Sequence, residues 1–373
     1  MESNLSSHRT NDRLYSLDLL RGLAAISVVI FHWNHFAIQP WLQGGKGIAV
    51  TDYPLYTVLG PFYLEGSRAV DLFFCISGFI FYWLYATPVA EKRISAGRFA
   101  LFRFSRLYPL HLATLLVVAL LQGFVWSKHG LYFIYQANDF YHFILSLFML
   151  SGWGLGSSFS FNGPSWSVSV EVLVYFIFFG LCRMGWQRPW QLACLACFGL
   201  LLEEFWMPIN GERNMIGEGI SGFFIGGLTY ALAKRLFADN TPRPATRYTL
   251  IITTVAAWWF APALSADYGY SVLAYPLTML SLVAIERGVN LSFKRVAWLG
   301  DISYSVYLWH VPLMIFVYLL IPMLGLEQDF FLSPTALFAY FGLLGLVGWI
   351  SCYHFERPVE RILRKRFDAA GVG

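Results

Sequence analysis

The chain is short of charge. Of its 373 residues only 13% are Asp, Glu, Lys or Arg, while 57% are hydrophobic and 18% aromatic. Soluble domains carry about twice that charged share, so a water-exposed globule is excluded. Cysteine is scarce too. The five, Cys75, Cys182, Cys194, Cys197 and Cys352, sit in or beside apolar runs and are odd in number, which argues against a disulfide framework. Cys194 and Cys197 form a CxxC, but without acidic or histidine neighbours they read as buried helix packing. No HExxH is present and the histidines are scattered among different elements, so no metal site is expected. Glycine-rich phosphate loops and internal repeats are missing, the latter arguing against many transporter architectures. A cleavable signal peptide is not expected either. The first apolar run is too long, Asp18 and Arg21 interrupt its entry, and no small-residue cleavage site follows.

What is present is long apolar runs and a mean hydropathy of +0.55. Runs near twenty residues suit the ~30 Å hydrocarbon layer of a bilayer, so an all-α integral membrane protein is predicted. About ten transmembrane helices are expected, at 17–36, 70–87, 107–126, 165–182, 190–207, 215–236, 248–264, 271–286, 299–322 and 335–354. With the N-terminus inside, 22 of the 26 Lys and Arg fall in inner segments and only Lys46, Arg68, Lys128 and Arg213 outside. The positive-inside rule then places both the N- and C-termini in the cytoplasm. The divisions are a cytoplasmic segment 1–16, one membrane domain 17–356 and a basic cytoplasmic tail 357–373. The formal charge of +4 is explained by the topogenic loops, so no nucleic-acid partner is expected. Segment 140–152 is too short to span and reads as interfacial or re-entrant. A Gly/Ser-rich outer loop follows it. Gly222, Gly226 and Gly227 allow close helix approach.

The first helix carries Asp18, Arg21 and His32. At about 100° per residue, Arg21 falls near 300° and His32 near 320° from Asp18, so all three share one stripe. Ionisable groups in a membrane helix normally face the bundle interior and mark a reactive centre or pathway. The plainer account makes Asp18 and Arg21 an orienting pair and His32 a helix contact. The second span opens with Arg68 and Asp71, three apart, where a self-contained ion pair suffices. In the same span Ser77-Gly78 is either a packing notch or a place where ligand nears the backbone. Arg103 and Arg106 lie three apart at the mouth of the third span, as a phosphate clamp or as ordinary positive-inside residues.

The fourth span starts at Ser165 and Trp166, an ordinary interfacial position for tryptophan. Glu171 lies about 9 Å further in, at nearly the depth of His32, so the two are expected to meet. A glutamate beside a histidine is a usual way to make a general base near neutral pH. In the ninth span Ser303, Tyr304, Tyr307 and His310 form a wet face. This face lines the same cavity or bonds a neighbouring helix.

Five stretches in order resemble one family: LDLLRGLAAISVVIFHW, DLFFCISGFIF, RFSRLYPLHL, PSWSVSVEVLVYF and ISYSVYLWHVPL. They are similar to the membrane-bound acyltransferase-3 family, the bacterial carbohydrate O-acetylase group, from about Leu17 to Arg357. The resemblance implies an integral enzyme of the bacterial inner membrane. It would move an acyl group, commonly acetyl from acetyl-CoA, to a hydroxyl of an envelope or exported carbohydrate, including lipid-linked ones. It implies His32 as the catalytic histidine, Asp18 and Arg21 as the first-helix polar pair, Arg103 and Arg106 as the RxxR pair and Glu171 as the buried acid. In that scheme Arg103 and Arg106, with Arg21, hold the acyl-CoA. Ser165, Trp166, Tyr304 and His310 meet the acceptor. Transfer is direct or runs through an acyl-enzyme. The chain resembles the short members that lack a C-terminal hydrolase-like domain. A transporter or flippase for a lipid-linked glycan or small metabolite is the competing reading, since it would use the same intramembrane polar groups.

Overall fold

The computed structural model describes residues 13–37, 48–205, 214–237, 241–264, 268–289 and 293–369, and among them there is no strand. Arg9, Lys46 and Arg213 lie outside the described residues, as do the N-terminal segment to residue 12 and the tail from 370. The helices are α1 (Tyr15–Phe31, continued by a 3-10 turn His32–Phe36), α2 (Tyr56–Glu65), α3 (Ala69–Leu84), α4 (Ala86–Ala90) and α5 (Ala96–His129). They continue with α6 (Phe140–Leu147), α7 (Trp166–Arg183), α8 (Pro189–Phe205), α9 (Met215–Leu236) and α10 (Pro244–Leu264). The last four are α11 (Tyr275–Gly288), α12 (Trp298–Leu320), α13 (Pro334–Ile350) and α14 (Arg357–Ala369).

Among the described residues seven stretches are long and apolar enough to cross a membrane: Tyr15–Phe36, Tyr56–Leu84, Ala96–His129, Gly163–Arg183, Met215–Leu236, Phe293–Leu324 and Pro334–Phe367. The expected spans at 190–207, 248–264 and 271–286 correspond to α8, α10 and α11. Of these α8 has 17 residues, while the 21 residues of α10 and the 14 of α11, which continues the five-residue π turn Tyr270–Ala274, are diluted by less apolar side chains. The segment expected to be interfacial or re-entrant forms the eight residues of α6, about 12 Å of helix.

Backbone contact, made possible by glycine, sets the core. A methyl group on Gly78 of α3 would sit 1.8 Å from the Phe223 carbonyl oxygen, and one on Gly226 of α9 would sit 1.9 Å from that of Cys75. These two helices therefore touch main chain to main chain, and α8 packs on the other side of α9. Gly78 is thus a packing notch, and the hydroxyl of Ser77 is spent on Glu171. Cys194 and Cys197 correct the sequence expectation: both are exposed on α8, because its buried face is Gln191, Leu192, Ala196 and Gly199.

The start of α1 has no local side-chain cap, since Leu14 has no side-chain acceptor. Glu286 at the end of α11 supplies one from far along the chain. Its carboxylate accepts from the amides of Tyr15 (2.9 Å) and Ser16 (3.0 Å) and from the Ser16 hydroxyl (2.6 Å). These are the orphan donors of a helix N-terminus, where negative charge is favoured. Arg13 then ties Asp18 (2.6 Å) to Asp301 of α12 (2.6 Å), which Arg357 also reaches at 3.2 Å. α1 lies along α12, with Asp18 and His32 of its polar stripe on the side of that helix.

Candidate active site

His32 stands where α1 tightens into its 3-10 turn, about 21 Å from Asp18 along the axis. Its Nδ1 is 3.0 Å from the Val28 carbonyl oxygen and 3.2 Å from Nε2 of His310 on α12. The Nδ1 of His310 in turn meets the Tyr307 carbonyl oxygen. Carbonyls only accept, so each ring carries its proton on Nδ1, and Nε2 of His310 is an acceptor. The Nδ1–H of His32 is shared between Val28 and His310. Its Nε2 is left with a free lone pair, the form a general base requires. The His310 ring is fully buried, and the Tyr340 hydroxyl donates to its carbonyl at 2.7 Å.

His32 borders a cavity of about 640 Å³. Asn34, His35, Tyr135, Phe159, Trp166 and Tyr307 share the lining, with Glu65, Arg68 and Glu218 among the charged groups. The His35 ring lies 4.8 Å from that of His32. Sequence reasoning passed over His35, although its i+3 spacing from His32 was a usable signal. Tyr307 binds Ser167 at 2.7 Å. Trp166 borders the cavity, as does Pro164, whereas Ser165 between them is buried in the 3-10 turn Gly163–Ser165 and faces elsewhere.

Two further residues expected to meet the acceptor do not line this cavity either. Tyr304 lies one helical turn before Tyr307 and bonds the Leu107 carbonyl on α5 at 2.7 Å. His310 is enclosed behind His32. The expected pairing of Glu171 with His32 is also replaced. Glu171 accepts from Ser77 on α3 and from Tyr175 on its own helix. Equal depth does not fix the direction in which a side chain points, and His32 turns toward His310 of α12, whereas Arg21 of the same stripe is the residue near Glu171.

Glu171 instead belongs with the arginines, since it interacts electrostatically with both Arg21 and Arg103. Arg21 also feels Asp18 and Arg106. Arg103 lies among aromatic rings, its guanidinium carbon 5.0 Å from the Phe81 centroid and 4.9 Å from that of Tyr85. It donates to the Tyr85 hydroxyl at 3.0 Å, while its buried Nε has no partner. Arg106 turns the other way, 5.9 Å from the Tyr304 ring and 4.0 Å from Glu360 of α14. The two arginines therefore diverge. Residues three apart differ by about 60° around a helix, and here each finds a different aromatic partner.

The loop over the cavity is held in an uncommon backbone state. Ile134, Met149 and Phe161 all have positive φ (56°, 56° and 47°), unusual for such side chains. Side-chain braces hold the strain: Asn138 accepts from the Phe161 amide, and Ser169 on α7 donates to the Met149 carbonyl at 2.6 Å. Backbone strain of this kind persists only where surroundings over-determine it, and it clusters at functional sites.

Among the described residues, seven stretches long and apolar enough to cross a membrane, with a buried His310 behind a part-buried His32 at the edge of a cavity, describe a polytopic membrane protein. The chain belongs to the acyltransferase-3 family, whose sequence model, described as an acyltransferase domain, matches residues 14–354. By family it is a transferase. It is 30% identical over 337 residues to the acyltransferase MdmB of Streptomyces mycarofaciens, covering 80% of this chain and 78% of that protein. It is 25% identical to the exopolysaccharide production protein ExoZ of Rhizobium meliloti, covering 84% and 95%. It is also 25% identical to the peptidoglycan O-acetyltransferase OatA of Listeria monocytogenes, covering 80% of this chain but spanning only about half (49%) of that protein. No solved structure matches the chain.

Proposed function

We propose that this protein is a membrane O-acyltransferase that moves an acyl group, acetyl from acetyl-CoA, to a hydroxyl of an envelope or exported carbohydrate. The observation that carries the reading is the proton assignment at His32, which leaves Nε2 unprotonated and next to the cavity. The acceptor enters that cavity, where aromatic faces and a few polar groups suit a sugar ring. Two relatives bear names referring to peptidoglycan and exopolysaccharide, which supports a glycan acceptor. The acyl-CoA approaches from the opposite, arginine-rich end. Arg103 offers its unpartnered Nε to a phosphate, with Arg106 and Arg21 adding positive charge. In this reading the bundle crosses a bacterial inner membrane ten times, counting α8, α10 and α11, with both termini in the cytoplasm.

The chemistry balances in one displacement. The acceptor O–H gives its proton to His32 Nε2 as the oxygen attacks the thioester carbonyl carbon. The imidazolium so formed keeps its Nδ1–H bond to His310, whose Nε2 is already placed to accept it. Collapse of the tetrahedral adduct breaks the C–S bond, and the thiol leaves with the proton from His32. In this reading the side-chain amide of Asn34, which shares the cavity lining with His32, meets the oxyanion, since the Tyr307 hydroxyl is spent on the Pro164 carbonyl at 2.9 Å. The test is acetyl-CoA turnover by purified protein in detergent, following CoA thiol release with an oligosaccharide acceptor. Release is expected, with a loss of 10²-fold or more in His32→Ala, the usual share of general-base catalysis. Wild-type turnover in that variant, or no thiol release at all, overturns the reading.

A further inference from the structure

A second constellation lies outside the His32 centre, in the short helix α6 and the loop that follows it. Asp139 caps α6 and meets Nδ1 of His142 through Oδ1 at 2.8 Å. On the far side of the same ring, Nε2 lies 3.2 Å from Ser157 Oγ. The order carboxylate, imidazole, hydroxyl is that of an activated serine, recognised by geometry and not by position in the chain. The protonation follows from the partners. Asp139 accepts the His142 backbone amide at 2.9 Å as well as the ring, and these hydrogen bonds hold its carboxyl below the usual carboxylate range. The ring proton therefore sits on Nδ1, and Nε2 is an acceptor facing the hydroxyl. The Ser157 amide also donates to Nε2 at 3.2 Å, which fixes the ring to the segment carrying the nucleophile. The ring lies flush on Gly156, where an added methyl group would be 3.3 Å from Cδ2.

Exposure is arranged to match. His142 is buried, at 6% of its free surface, whereas Ser157 is exposed to solvent. Two residues on, Phe159 lines the cavity of His32. We propose that Ser157 is a serine nucleophile with His142 as its base and Asp139 as the residue that positions the ring, acting on short acyl esters of alcohols that reach it from solvent. Ser157 Oγ bonds to the acyl carbon as its proton passes to His142 Nε2. The acyl–oxygen bond then breaks, and the alcohol leaves with that proton. Water repeats the sequence on the acyl-serine and releases the carboxylic acid. The proposal does not rest on the His32 reading.

The test uses the full-length protein in detergent with a fluorophosphonate probe, without acyl-CoA or sugar, so failure of CoA-dependent transfer has no bearing on it. The expected result is a single adduct on Ser157 by peptide mass spectrometry. It should be absent in Ser157→Ala and formed at least tenfold more slowly in His142→Gln and Asp139→Asn. No adduct on Ser157 in folded wild-type protein overturns the proposal, and that measurement needs no variant. Equal labelling of the exposed neighbour Ser158, or unchanged labelling in His142→Gln, overturns it as well.

Discussion

Removing the ring of His310 tests the logic of the imidazole pair most directly. In the resting state His32 Nδ1–H is shared between Val28 O at 3.0 Å and His310 Nε2 at 3.2 Å. Once His32 takes a proton it is a buried cation, and the bond to His310 becomes charge-assisted. Hydrogen bonds to charged groups contribute about 1.5–3 kcal/mol. Since about 1.36 kcal/mol is tenfold in rate, His310→Ala should lower kcat by roughly 10- to 150-fold. KM for the acceptor should move little, because His310 does not line the cavity. His310→Gln is the telling companion, since its Oε1 reaches near the position of Nε2 and again offers an acceptor. It should recover at least a third of the lost activity on a logarithmic scale. The assay is steady-state CoA release over a range of acceptor concentrations. A wild-type kcat in His310→Ala, or a Gln variant no better than Ala, would refute the proton assignment.

Other perturbations reach different parts of the bundle. Arg103→Lys loses both the guanidinium contacts with the Phe81 and Tyr85 rings and the spare Nε, so acyl-CoA KM should rise about tenfold while kcat is held, as kinetics in acyl-CoA would show. Glu171→Gln removes the negative charge facing Arg21 and Arg103, so acyl-CoA turnover should fall at least tenfold, with the fold checked by circular dichroism. Gly226→Val places a side chain where a methyl group is already 1.9 Å from the Cys75 carbonyl. Overpacking of that degree destabilises by about 3 kcal/mol or more, so folded yield by size-exclusion chromatography should collapse. Asp301→Ala unties partly exposed Arg13 and Arg357, and its loss should be near 1 kcal/mol and shrink in high salt, as thermal scans would register.

The helices were legible because apolar runs of bilayer length leave few alternatives, and the shared stripe of Asp18, Arg21 and His32 singled out α1. Three things escaped. The partner of His32 was misjudged because depth along two helices says nothing about their rotation. Only the packing of α1 along α12 reveals His310. The RxxR spacing suggested convergence, but aromatic neighbours drew Arg103 and Arg106 apart. The contact between His142 and Ser157 depends on a loop whose path is set by braces such as Asn138 and Ser169, which no periodicity encodes.

The carboxylate of Glu286 on the first turn of α1 also has a consequence for biogenesis. The helix bearing His32 emerges first, yet the groups that finish its end, Glu286 and Asp301, are made more than 260 residues later. At about 5–20 residues per second, ribosomes need roughly a quarter of a minute to a minute to reach them. Throughout that interval the earliest segment is inserted but unfinished. The His32 helix is completed only when the last third of the polypeptide returns to it.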